Sequence, residues 1–137
     1  MISRYYEFQN GQITLDNTDL RDIDLNILRS KIAVVLQEVF LFNTTILENI
    51  TIGAANISRD DVITAAKKVG VHQFINELPG GYDFEVKERG GLLSSGQRQI
   101  IAFLRAYVYQ PQLLILDEAT SSIDSLSEEY IQNATYE

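Results

Sequence analysis

The chain has 137 residues, enough for one domain with a hydrophobic core and too few for two. It is 45% hydrophobic and 22% charged with a formal net charge of -8, which argues against broad, sequence-independent nucleic-acid binding because that requires a basic surface. Zero cysteines exclude disulfides and thiolate metal sites, and the single histidine, His72, excludes a clustered-imidazole site, so any metal has to be held by oxygen ligands, as magnesium is.

The opening run MISRYYEFQNG lacks the basic-then-apolar pattern of a secretion signal, and no apolar run reaches the roughly 18 to 20 residues that span a bilayer. A cytosolic chain is the expectation. NGQITLDNTDL predicts a turn, a short strand over Gln12 to Leu15 and a second turn at Asp16-Asn17. KIAVVLQ is apolar at every position from Ile32 to Leu36, the pattern of a parallel strand covered on both faces, and LLILD at 113–117 has the same character. Two such strands predict an α/β fold.

Helices are expected between them. Ser58-Arg59-Asp60-Asp61 reads as a cap with acids in the first turn, followed by Val62, Ala65, Ala66 and Val69 at helical spacing up to Gly70. Val71 to Leu78 predicts a second, shorter helix stopped by Pro79-Gly80-Gly81. A third opens at Ser94 or Ser95, carries Ile100, Ile101, Phe103, Leu104, Tyr107 and Val108 on one stripe, and is closed by Pro111. The tail SLSEEYIQNATYE has helical spacing through Leu126, Tyr130 and Ile131.

Two stretches point to chemistry. LLILDEAT puts Asp117 at the carboxyl end of a buried strand, where open α/β sheets place ligands. Asp117 can hold magnesium and the adjacent Glu118 can polarise an attacking water, a division of labour suited to nucleotide hydrolysis. The plainer alternative is a buried strand ending in solvated acids. GGLLSSGQRQ, residues 90–99, sets serine hydroxyls, free backbone N–H groups and a glycine at a helix start, which suits a phosphate anion. Taken alone it is equally a serine-capped amphipathic helix. The two in fixed order and at close spacing are more specific than either.

LLSSGQRQ resembles the LSGGQ signature of ABC-type ATPases, and LLILDEATSSID resembles their Walker B strand and D-loop. KIAVVLQEVFLFNTTILENI is similar to the Q-loop region of exporter-type nucleotide-binding domains, and EVKERGG to the exporter X-loop. The resemblance covers nearly the whole chain. It implies a partial P-loop NTPase (RecA-like) parallel sheet core with an α-helical ABC subdomain: core parts at 1–37 and 109–137, and a mainly helical subdomain at 38–108.

It also implies roles. Gln37 resembles the Q-loop glutamine that reaches magnesium and the attacking water. Ser94, Ser95, Gly96 and Gln97 occupy the signature, which closes on the γ-phosphate of ATP held by an opposite subunit. Asp117 resembles the Walker B metal-holding acid, Glu118 the catalytic glutamate and Asp124 the D-loop aspartate at the dimer interface. Ser95 departs from the pattern by replacing the first glycine of the usual pair, so weakened signature function is expected. Tyr5, Tyr6 and Phe8 are expected to pack rather than stack on adenine, and His72 to be structural or exposed.

No lysine follows a glycine anywhere, so the phosphate loop G-x-x-x-x-G-K-[ST] is not in the sequence. By resemblance that loop lies before Met1 and the switch histidine beyond Glu137, so the chain is expected to be a central segment, inactive alone. The cofactors implied are ATP and Mg2+ in the full domain. The partners implied are a second nucleotide-binding domain, as homodimer or heterodimer, and a transmembrane domain met by the segment around Phe40 to Ile50, with no nucleic acid, at the cytosolic face of a membrane. Two other readings stay open: a non-catalytic interaction module, and a soluble ABC ATPase of the DNA-repair or chromosome-maintenance type. Net acidity and the lack of a coiled-coil insertion count against the second.

Overall fold

A computed structural model of the chain describes residues 2–36, 38–52, 54, 56–87 and 91–116. Gln37, Asp117, Glu118, Asp124, most of the ERGG run and the predicted tail helix lie outside them.

The first element is a hairpin of β1 (Thr14–Leu15) and β2 (Thr18–Asp19), with Leu15 opposite Thr18. Its two loop residues, Asp16 and Asn17, sit at φ 47° and 65°. Positive φ at both positions is the type I′ geometry that matches strand twist, and Asp and Asn tolerate it best after glycine. The strand is therefore shorter than the predicted Gln12 to Leu15. α1 (Leu25–Ser30) follows, capped by the Asp24 carboxylate, which accepts from the N–H groups of Asn26 and Ile27. Only six residues long, it was not evident from apolar spacing; the Asp24 cap was its signal.

β3 (Ile32–Val35) and β4 (Leu113–Leu116) pair in parallel, with Ile32 opposite Leu113 and Val35 opposite Leu116. The parallel pairing agrees with the expectation, but cover on both faces does not. Val35 is buried, whereas Val34, Leu36 and Leu113 are exposed. Side chains alternate across a strand, and among the described residues only one face of this two-stranded sheet is packed.

Between the strands lies the core. α2 (Ile46–Thr51), α3 (Arg59–Val69), α4 (His72–Glu77) and α5 (Ser95–Val108) bury a continuous cluster that includes Leu41, Ile46, Ile50, Val62, Val69, Ile75, Ile101, Phe103 and Leu104. Every residue of that cluster falls between Leu41 and Val108. Three helices open on capping boxes: Thr45 with Glu48, Ser58 with Asp61, and Ser94 with Gln97. In each, the cap side chain takes the N3 N–H while the N3 side chain returns to the cap N–H, so two orphan donors are satisfied at once. Gly70, at φ 84°, closes α3 as the sequence predicts. Its N–H bonds Lys67 O and the Val71 N–H bonds Ala66 O, a Schellman ending.

His72 is structural. Asn76 lies 2.9 Å from Nε2 and the Tyr82 hydroxyl 2.9 Å from Nδ1. The two contacts hold the ring between Asn76 on its own helix and Tyr82 beyond the Pro79-Gly80-Gly81 stop. Burial pushes the Tyr82 phenol up to about 12, so it stays protonated. Tyr5 and Phe8 are covered by arginines: Arg29 stands 4.8 Å above the Tyr5 ring and Arg21 5.0 Å above Phe8. Those contacts pack the rings at the surface, and Tyr6 is exposed.

Candidate functional site

Ser94 ends the incoming loop in extended backbone, φ −64° and ψ 165°, and α5 begins at the next residue. Its Oγ accepts from Gln97 N–H at 3.1 Å, and Gln97 Oε1 accepts from Ser94 N–H at 2.9 Å. The box has a chemical consequence. Because Ser94 Oγ is used as an acceptor, its own proton is available to donate. Because the Gln97 carbonyl oxygen faces back to the cap, the Nε2 end is turned away from it. The N–H groups of Ser95 and Gly96, at N1 and N2, have no intrahelical acceptor. These donors belong to the first turn, at the positive end of a 14-residue helix.

Two contacts fix the approach to this turn. Leu93 is buried at 4%, and the Arg98 guanidinium donates to its carbonyl at 2.7 Å. Ser95 is exposed and Gly96 buried, so the added Ser95 side chain stands on the solvent side of the turn. Gln99, one turn further along, is buried with its Oε1 unpaired. Ser94→Ala is expected to destabilise the chain by about 1 kcal/mol through loss of the cap. A lowered urea midpoint with unchanged m-value is the check; an unaltered midpoint would show that the cap is dispensable.

The other part of the site begins at the sheet. With Val35 opposite Leu116, β3 and β4 end at the same edge, the carboxyl edge where a parallel sheet presents ligands. The structure brings together Ser94, Ser95, Gly96 and Gln97 at one helix start. Gln37, Asp117, Glu118 and Asp124 belong to the undescribed residues. Among the described residues no group of three or more His, Cys, Asp or Glu could hold a metal ion, so the signature turn offers donors to an anion and no metal ligands.

A groove of about 680 Å³ runs beside this edge, lined by Val34, Leu36, Phe40, Phe42, Ala102 and Tyr109 among others. Phe40 and Phe42 meet edge to face with centroids 5.0 Å apart and are 57% and 48% exposed. One pair that sequence reasoning missed stands behind it: Asn49, fully buried on α2, and Arg105 on α5. Asn49 Oδ1 accepts from Phe42 N–H at 2.8 Å, and its Nδ2 donates to Phe42 O and Thr45 O, each at 3.0 Å. The available signals were a polar residue between Ile46 and Ile50 and one arginine in an otherwise apolar helix stretch.

A parallel strand pair with a serine-capped helix leading into its second strand places the chain in the α/β class. The ABC transporter family model matches residues 1–121, and the chain belongs to that family. It is 48% identical over 134 residues to the ABC transporter ATP-binding protein YknV of Bacillus subtilis, covering 98% of this chain and 22% of that protein. An ATP-dependent lipid A-core flippase of Legionella pneumophila is 49% identical over 134 residues, covering 98% of this chain and 23% of that protein. A solved bacterial Atm1-family ABC exporter with ATP bound superposes with TM-score 0.86 at 38% identity, over 98% of this chain and 24% of that one. The chain thus spans about a quarter of the length of these proteins. The α/β expectation holds, as a partial ABC ATPase fold of exporter type. Among the described residues no helix is long and apolar enough to cross a membrane.

Proposed function

We propose that residues 1–137 work as part of the ATP-hydrolysing domain of an ABC exporter, in which ATP binding and hydrolysis drive movement of a solute or lipid across a membrane. The observation that carries this is the Ser94 capping box, which leaves one hydroxyl proton and two N–H groups at the start of α5. Those donors suit the terminal phosphate of a nucleotide held by a second nucleotide-binding domain. Asp117 and Gln37 are the residues that would hold Mg2+, which would supply positive charge to offset that developing on the phosphoryl group. Glu118 and Gln37 are assigned to the attacking water and Asp124 to the interface with the second domain.

The buried cluster, which runs from Leu41 to Val108, supports a division in which residues 38–108 are the helical subdomain and 1–37 with 109–137 belong to the ATP-binding core. The exposed Phe40 and Phe42 support the reading that the segment around Phe40 to Ile50 meets the cytosolic ends of a membrane domain, at the cytosolic face of the membrane. Relatives named as a lipid A-core flippase and as a multidrug export protein support export, and the acidic composition gives no support to a nucleic-acid partner.

The chain by itself has no G-x-x-x-x-G-K-[ST] loop, the cradle that supplies most of the attraction for triphosphate. Purified residues 1–137 are expected to show no magnesium-dependent phosphate release, whereas the full-length transporter carrying the segment hydrolyses ATP. Turnover by the isolated chain that is abolished by Glu118→Gln would refute the division of labour. A full-length protein that neither binds nor hydrolyses ATP would refute the function.

A further inference from the structure

α5 carries a single charged side chain between Ile100 and Val108: Arg105. It is half-buried, and burial pulls its pKa below the ordinary value, with Tyr109 acting the other way. A guanidinium in such a place has to fill its fork with acceptors. No carboxylate does so among the described residues. Nε donates to Asn49 O at 2.8 Å, Nη1 and Nη2 each reach Phe40 O at 3.3 Å, and Nη2 lies 3.4 Å from Asn49 Oδ1. The arginine is therefore spent almost entirely on backbone carbonyls, and a lysine, with one compact ammonium, cannot reproduce that fork.

Of the two carbonyls it holds, Asn49 O belongs to α2 and Phe40 O to a segment with little structure of its own. Between Leu36 and α2 the described chain forms no helix, and its one bridge joins Thr45 to Glu85. Leu41 is fully buried and anchors it, while Phe40 and Phe42 on either side are exposed. Val39 also packs against the core but is only partly buried, so few apolar contacts fix the segment. The Asn49 side chain closes both backbone groups of Phe42, like a strand partner, and Arg105 holds Phe40 one residue before the anchor. α5, by contrast, is held by Ile101, Phe103 and Leu104, all buried, and does not need the arginine to stay in place.

The geometry points to Arg105 as a positioning residue: through Phe40 and Asn49 it fixes the segment that follows Gln37 against the helix that carries Ser94, so that the two motifs keep one frame. The inference rests on the function proposed above, in which Gln37 orients the attacking water and Ser94 meets the phosphate. A slip of about 1 Å in such a group can cost on the order of 100-fold in rate. Water positioning matters in the transition state rather than in nucleotide binding, so the loss falls on kcat and not on KM.

The test uses the full-length transporter carrying this segment, with ATP hydrolysis and amide hydrogen exchange measured on the same preparations. In Arg105→Met, kcat is expected to fall by about 10- to 100-fold with the ATP KM within about twofold. Arg105→Lys is expected to recover part of the rate. The Phe42 amide is expected to lose protection by about tenfold, while the Val71 and Ile75 amides of the α3–α4 region keep theirs. Unchanged kcat in Arg105→Met overturns the inference. So does loss of kcat in step with general loss of protection at Val71 and Ile75, which marks a merely structural residue. If the wild-type protein hydrolyses no ATP, the functional reading fails, and Phe42 exchange alone then decides whether Arg105 holds the segment.

Discussion

Replacing Glu118 by glutamine in the full-length transporter is expected to lower ATP turnover by about 100- to 10,000-fold while leaving ATP affinity nearly unchanged. The substitution keeps size and hydrogen-bonding reach and removes only the negative charge, so it tests charge alone. Phosphoryl transfer asks a protein for positioning and electrostatics more than for covalent chemistry, and a carboxylate that orients and polarises water acts only as the water attacks. Asp117→Asn should behave differently under the proposed roles, in which Asp117 would hold the metal and its loss would weaken nucleotide binding as well. Phosphate release together with ATP affinity separates the two. Turnover within tenfold of wild type in Glu118→Gln would remove that residue from the chemistry and leave the acid pair as an ordinary strand end.

The largest effect on stability is expected from Phe103→Ala. Phe103 is 1% exposed in the middle of α5 and stacks on Tyr107 with ring centroids 6.0 Å apart. Its neighbours come from different elements, so they cannot all collapse into the space left behind. A buried phenylalanine truncated in such a site costs about 3 to 5 kcal/mol through lost transfer energy and the residual cavity. Against a total stability of about 5 to 15 kcal/mol for a domain, that removes from roughly a fifth to all of it. Urea unfolding followed by far-UV circular dichroism measures it. A loss below about 1 kcal/mol would mean that α5 is not the centre of the core.

Both predictions rest on patterns of different legibility. α3 and α5 were readable because they run 11 and 14 residues, long enough for apolar periodicity to emerge, and each opens on a serine cap. α1 and α2, six residues each, were not; α4 is as short but is bracketed by Gly70 and Pro79-Gly80-Gly81, whereas only the Asp24 cap and the Thr45–Glu48 box mark the other two. Similarly, the continuous apolar run from Ile32 to Leu36 announced a parallel strand correctly and its degree of cover incorrectly, because burial depends on what lies over the strand and not on the strand itself.

The sequence alone determined the family, the order of the motifs, the lack of a glycine-lysine phosphate loop and the serine that starts α5, because each of these is a local pattern with a local physical cause. The tertiary structure decided how they are joined. It set Val35 opposite Leu116, so that two strands about eighty residues apart end at one edge, and it sent the Arg105 guanidinium across to Phe40 and Asn49. Such contacts arise from the packing of α5 against α2 and β3, and no spacing along the chain announces which carbonyl a buried arginine will find.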